Sequence, residues 1–377
     1  MNDITSYDLI IVGGGVVGSS LAYGLARAGQ RVLLLDGADS DYRAARGNFG
    51  LVWVQGKGFN HPEYQWLSRH SASMWPDFAQ QLSAETGIDL AYENKGGFHF
   101  CLGEKEWEQR RALLQKWHEQ LPDEPVDTTM LSRAELIQRL PEVEFGPDVS
   151  GASYGALDGH VDPLALLRAL QLAFLKNGGT LHSNTYVSHI EQRMGGGFKV
   201  RANEKQYEAA QVVITAGLGT ETLAQQVGMN VPVRPERGQL LVTERLAPFL
   251  GFPASGIRQT SQGTVMIGVT NESVGFELNT TVEKASVMAH RAISIIPRLR
   301  QARWVRHWSC LRVLTPDSLP VYAESELCPG AWVAACHSGI TLAAFHADTL
   351  AHYIGSASLG AELSKFHYGR FNVQADY

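Results

Sequence analysis

The chain has 377 residues, 44% of them apolar and 19% charged, with a formal net charge of −6 and four cysteines. That length suffices for two domains around a large buried core, and the acid excess makes a nucleic-acid partner unexpected. Cys101, Cys310, Cys328 and Cys336 show no CxxC spacing, so neither a disulfide framework nor a metal site is expected, and the cytoplasm is the expected compartment.

Residues 7–12, YDLIIV, read as a buried parallel strand because the apolar run has no polar alternation. Gly18–Ala28 reads as a helix with small residues on one side, ended by Gly29, and RVLLLD (31–36) as a second strand. These three make one βαβ unit. Asp3 and Asp8 precede the apolar run and Gly13, Gly14, Gly15 and Gly18 interrupt it, so no secretion signal is expected. No window reaches the roughly 18 uninterrupted apolar residues of a spanning helix, leaving at most a loose peripheral contact with a membrane.

Farther along, His61–Leu82 is an amphipathic helix starting near Pro62, and Glu104–Leu121 is a helix charged on one face. Ser132 and Glu135 have capping-box spacing. Asp162 as N-cap and Pro163 in the first turn open a helix that ends at Gly178. Residues 181–215 alternate as strands with a hairpin at Gly195, Gly196 and Gly197, and QVVITAG (211–217) is another buried strand. Residues 231–275 read as strands of a different sheet, followed by a helix from Thr281 to Ile296 that Pro297 halts. The stretch GAWVAACHSGITLAAFHADTLAHYIG reads as strand, glycine turn and helix. The recurring α/β signals suggest one nucleotide-binding domain assembled from separated segments, with the insertions forming a second domain.

Gly13, Gly15 and Gly18 fill a G-x-G-x-x-G pattern inside that first unit. The first permits a tight turn, the second lets a pyrophosphate approach the backbone, and the third lets the helix lie close to the sheet. Free N–H groups of the helix start, at Val16 and Val17, favour phosphate. Asp36 ends the second strand where a carboxylate accepts hydrogen bonds from an adenosine ribose, which makes NADP a poor candidate. The motif alone does not separate FAD from NAD.

Six ordered stretches do separate them: RAARGNFGLVWVQG (43–56), DGHVDPLALLRAL (158–170), VVITAGLGT (212–220), VRPERGQLL (233–241), LRVLTPDSLPV (311–321) and CHSGITLA (336–343). Together they resemble the FAD-dependent D-amino-acid oxidase, glycine oxidase and sarcosine oxidase superfamily. NFGLVWVQGKG and RQTSQGTVMIG are most similar to the β-subunits of opine oxidases and D-hydroxyproline dehydrogenases. The resemblance implies an α/β fold: a Rossmann-like, glutathione-reductase-type FAD-binding domain from 1–88, 146–222 and 308–377. The second, α+β substrate domain, 89–145 and 223–307, would rest on a mixed, largely antiparallel sheet.

The implied reaction is oxidation of the C–N bond of a D-amino acid, a glycine- or sarcosine-like amine or an opine. Hydride passes to flavin N5 and leaves an imine that water hydrolyses, without a strong side-chain base. An alternative is an FAD-carrying subunit that passes electrons to partner subunits. Arg312, three residues before Thr315, resembles the arginine that grips the substrate carboxylate; a salt bridge between segments is the other reading of it. Arg258 is a second candidate cation that would suit a dicarboxylate such as an opine, a solvated surface arginine being the other reading, and His337 would shape the site or donate to the flavin, or else be a histidine hydrogen-bonded to backbone.

Gly339, Ile340 and Thr341 would open the last helix against the flavin ring, and Asn48, Phe49 and Gly50 would lie along it. Arg43 or Arg46 would lie near the pyrophosphate, Val187 against adenine, and Ala216 and Gly217 over the dinucleotide. Cys310 stands five residues before Thr315, where sarcosine oxidases attach flavin covalently; glycine-oxidase-like members bind FAD without a bond, the outcome expected here. The sarcosine-oxidase lysine associated with oxygen aligns with Met266, and Lys57 is near the flavin segment without being equivalent, so the acceptor is oxygen or another oxidant.

Overall fold

A computed structural model describes residues 6–37 and 44–372. Five segments pair in parallel in the order Thr180–His182, Val32–Leu35, Ser6–Val12, Lys205–Ile214 and Ala331–Ala335, and Val321–Glu324 adds an antiparallel edge. Side chains alternate between the two faces of this sheet. Leu9, Ile11, Leu34 and Val213 join one core, with the helices Val16–Arg27, Pro62–Thr86 and Pro163–Lys176. Ile10, Val12, Leu33, Val212 and Ile214 join the other, which the strands Val187–Gln192 and Phe198–Ala202 cover. Both faces are buried, which is why the strands carry unbroken apolar runs.

The rest of the chain forms antiparallel sheets. One runs in the order Ile257–Gln259, Thr264–Gly268, Arg234–Arg245, Trp304–Leu314. The other places Val149–Gly155 between Gly97–Leu102 and Thr128–Ser132, and a Phe98–Ala254 bridge joins the two. The helix Val282–Ile295 packs Ala285, Met288, Ala292 and Ile295 into their shared core.

Several boundaries differ from those expected. The segments anticipated to enter the nucleotide domain at 146 and 308 first lend strands to the antiparallel sheets, at Val149–Gly155 and up to Leu314. The helix from Pro62 continues to Thr86, where Gly87 at φ +72° closes it. The last helical run begins at 343, after a turn at 339–342, and its middle section His346–Leu350 is a π-helix. Among the described residues no helix is long and apolar enough to cross a membrane.

Candidate functional site

The turn leaving strand Ser6–Val12 is packed so closely that glycine is required. A Cβ on Gly13 (φ +108°) would strike the backbone of Thr215, and one on Gly18 would overlap the Gly13 carbonyl oxygen. The Thr215 hydroxyl donates to the carbonyls of Val12 (3.0 Å) and Gly13 (2.9 Å), locking the turn to the neighbouring strand. Asp36 accepts from the Gly14 amide at 2.8 Å. Gly15 is different: a Cβ there would meet nothing within 4 Å. Its open side faces a cavity of about 410 Å³.

Val12, Gly13, Gly15, Val16, Val17, Asp36, Val187, Ala216, Gly217, Gly339 and Ile340 all line this first cavity, so the structure brings most of the expected dinucleotide set together. Gly18 instead serves helix packing, while Gly50 (φ +85°) lies against the Val161 carbonyl. Arg46 is exposed and lines neither cavity. Arg43 lies outside the described residues. An apolar-walled slot with an amide-rich helix start and a carboxylate at its end fits FAD; Gly13, Gly15, Val16, Asp36 and Val187 would hold its adenosine and pyrophosphate.

A second cavity of about 660 Å³ adjoins the first, with Ala44, Asn48, His337 and Ile340 common to both walls. Phe49, Trp53, Cys310, Arg312 and Thr341 also face it. Arg312 donates to the Thr270 carbonyl and lies 3.4 Å from Glu236, yet its Nε is buried without a partner. Burial lowers the Arg312 pKa, opposed by Glu236. Both readings of Arg312 thus have a geometric counterpart: a loose ion pair at Nη2 and a donor without a partner at Nε.

Arg258 is a correction. Expected near substrate, it is buried behind residues 48–50, donating to the Phe49 carbonyl at 2.5 Å and approaching His160 Nδ1 at 3.4 Å, and it lines neither cavity. Burial holds its pKa down at about 10. His337 faces both cavities but is uncharged, since burial and then Lys57 and Arg312 lower its pKa to about 3. The Cys310 thiol lies 3.4 Å from the Gly47 carbonyl, and burial raises its pKa.

Four contributors received no site role from the sequence: Thr215, Lys57, Lys284 and Arg291. Thr215 carries no motif of its own. Lys57 reaches Ser338 Oγ (2.8 Å) and Thr341 Oγ1 (3.1 Å), contacts across more than 280 residues of sequence that local patterning does not reveal. Burial lowers the Lys57 pKa to about 8. Lys284 and Arg291 line the second cavity from the helix Val282–Ile295. With Lys57 and Arg312 they make four cations, and no carboxylate among the described residues faces this cavity. Two of the four have acidic partners outside the lining, Arg291 with Glu106 and Arg312 with Glu236, so Lys57 and Lys284 are the lining cations without an ion pair among the described residues.

Comparison with known proteins agrees with this geometry. The family described as DAO, FAD dependent oxidoreductase, matches residues 8–353. An opine oxidase subunit from Agrobacterium tumefaciens (strain Ach5) is 40% identical over 367 residues, 97% of this chain and 98% of that protein. Its counterpart from Rhizobium meliloti is 41% identical, with the same coverage. The crystal structure of glycine oxidase from Geobacillus kaustophilus superposes with a TM-score of 0.87 at 27% identity, covering 97% of this chain and 99% of that one.

Proposed function

The chain belongs to the DAO family of FAD-dependent oxidoreductases acting on amino acids or amines, and from that premise we propose that it oxidises the C–N bond of an amino acid whose carboxylate is held by Arg312. The lining of the larger cavity carries this reading: among the described residues it holds four cations and no acid, and although Glu106 pairs with Arg291 and Glu236 with Arg312 from outside the lining, Lys57 makes no ion pair and Arg312 Nε has no partner. A guanidinium fixes a carboxylate in direction as well as in charge. FAD, when bound, supplies the acceptor for the hydride leaving the substrate carbon.

The chain's own part is positioning. Arg312 orients the substrate, while Phe49, Trp53, Ile267 and Ile340 wall the cavity and limit water. Neutral His337 offers a polar edge without repelling the cationic neighbours. The imine product takes up water and separates into an oxo acid and an amine. Burial keeps Cys310 protonated, which favours FAD held without a covalent bond. The test is incubation of the FAD-loaded protein with D-amino acids, glycine, sarcosine, proline derivatives and opines in the presence of an electron-accepting dye. An oxo acid and an amine detected by mass support the reading; turnover of uncharged amines alone would refute it.

One observation favours a second reading. The two relatives at 40% and 41% identity are each named as one subunit of an opine oxidase. On that reading the chain carries FAD and passes electrons to a partner subunit rather than to oxygen. Substrate-dependent dye reduction without peroxide would support it, and stoichiometric peroxide from the isolated chain would exclude it.

A further inference from the structure

We propose that Arg237, Gly238 and Gln239, with Glu272, form a cradle that sets the position of Arg312 and thereby the affinity of the larger cavity for a carboxylate. This rests on the reading of Arg312 given above. Arg237, Gln239 and Glu272 do not line the cavity, so they are positioning residues that act through Arg312.

The stretch RGQ belongs to the strand Arg234–Arg245, in which successive side chains point to opposite faces. Gly238 lines the cavity, and its two neighbours point away from it. On that far face they converge on one carboxylate. Arg237 Nη2 donates to Glu272 Oε2 at 2.8 Å, and Gln239 Nε2 donates to Oε1 at 2.8 Å. The Thr270 hydroxyl donates to the same Oε1 at 2.5 Å and accepts from the Gln239 amide at 2.9 Å. The backbones of Arg237 and Glu272 exchange two further hydrogen bonds, at 2.9 and 3.0 Å. Arg237, Gln239 and Glu272 are all buried, so losing any one strands a charge or a polar group in the interior. The same two strand residues reach the far end of the loop. Arg237 Nη1 donates to the Asn279 carbonyl at 2.7 Å, and Gln239 Oε1 accepts from the Thr281 amide at 2.9 Å. Thr270 is thus fixed by a clasp that pins its loop at both ends.

The near face shows what the clasp serves. Arg312 Nη2 donates to the Thr270 carbonyl, two residues before Glu272, and lies 3.4 Å from Glu236. Beneath the guanidinium the strand is bare: a Cβ on Gly238 would stand 3.2 Å from Nη2 and 3.4 Å from Nε. A long side chain held only by one acid at 3.4 Å would keep much of its rotamer freedom. The glycine floor and the fixed carbonyl remove that freedom before any ligand arrives. Ordering the arginine then costs the incoming carboxylate little, which is how a contact outside the cavity raises affinity within it.

The test uses the FAD-loaded full chain with acetate, propanoate and cyclopentanecarboxylate, each paired with its carboxamide. None has a nitrogen on the carbon beside the carboxyl group, so calorimetry reads binding without turnover. The parent is expected to prefer the best acid over its amide at least about tenfold, and Arg312→Gln to lose that preference. Gly238→Ala and Glu272→Gln should each cut the preference at least about fivefold while FAD content and amide affinity stay as in the parent. Added to Arg312→Gln, each should change acid affinity by less than about 1.5-fold, because the group they position is gone. Should Glu272→Gln not fold, Thr270→Val, which keeps the carbonyl and removes only the hydroxyl, answers the same question. General structural damage would weaken acid and amide alike, or act equally with and without the guanidinium; either result would overturn the inference. So would an unchanged preference in Gly238→Ala and Glu272→Gln, leaving the role of Arg312 standing. A preference that survives Arg312→Gln, or is absent from the parent, would refute the reading of Arg312 and the cradle with it.

Discussion

Glu236 stands directly opposite Arg312 in the antiparallel register and approaches its Nη2 to 3.4 Å, yet it does not face the cavity. The acid thus pairs with the guanidinium from outside the cavity lining. Arg312→Gln should therefore keep FAD but lower kcat/KM for carboxylated substrates by at least about 100-fold. Arg312→Lys should remain severely impaired, because one ammonium does not reproduce a planar fork. Glu236→Gln should change kcat/KM in the opposite direction for the same substrates, through a lower KM. Steady-state kinetics on the three variants checks the set.

Gly15 and Gly18 should separate cofactor binding from folding. Alanine at 15 meets no protein atom but enters the smaller cavity, whereas alanine at 18 collides with the Gly13 carbonyl. Gly15→Ala is expected to unfold at the parent's temperature without FAD, yet to bind FAD at least tenfold more weakly. Gly18→Ala should lose stability even without FAD, by about 2 kcal/mol or more. Thermal scans and fluorescence titration with FAD measure both.

Lys57 predicts a pH dependence of anion binding. Burial lowers its pKa to about 8, so its charge is present below that value and is lost as pH rises through it. Affinity of the FAD-loaded protein for a carboxylate should fall several-fold between pH 7 and 9, and Lys57→Met should flatten that fall. The stability sign is opposite. Between about 8 and the ordinary 10.5 the unfolded chain binds more protons at this group, so its contribution to stability rises with pH. Identical binding profiles for parent and variant would show that Lys57 does not act on the ligand.

Cys310 has a thiol that burial keeps protonated, and its hydrogen-bond partner is the Gly47 carbonyl. Acid precipitation should therefore release all of the FAD into the supernatant, and Cys310→Ser should remain yellow. Colour left in the washed pellet would reveal a bond to the chain.

The nucleotide-binding half was legible because its signals are local. Leu9 to Val12 alternate between two buried faces, and the close packing at Gly13 and Gly18 requires glycine. Val149–Gly155 was not legible: in VSGASYG only Val149 and Tyr154 are strand-forming residues, and the small ones are where its two neighbouring strands approach closely. A Cβ on Gly151 would strike the Leu131 carbonyl and the Trp107 ring. Arg258 read either as a second substrate cation or as a surface arginine, and the packing of Phe49 and His160 against it puts it in the interior instead. Lys284 was hidden for a related reason. Which face of its helix meets a cavity depends on sheets formed by distant segments.

Anaerobic bleaching of the FAD band near about 450 nm tests the central claim most directly. The FAD-loaded protein is mixed with a secondary amino acid that it turns over and, separately, with the amine left when the carboxyl group of that acid is replaced by hydrogen. Rapid bleaching by the acid, with the amine slower by at least about 100-fold, is the result expected if Arg312 places the reacting carbon through the carboxylate. Equal bleaching by both compounds would contradict it.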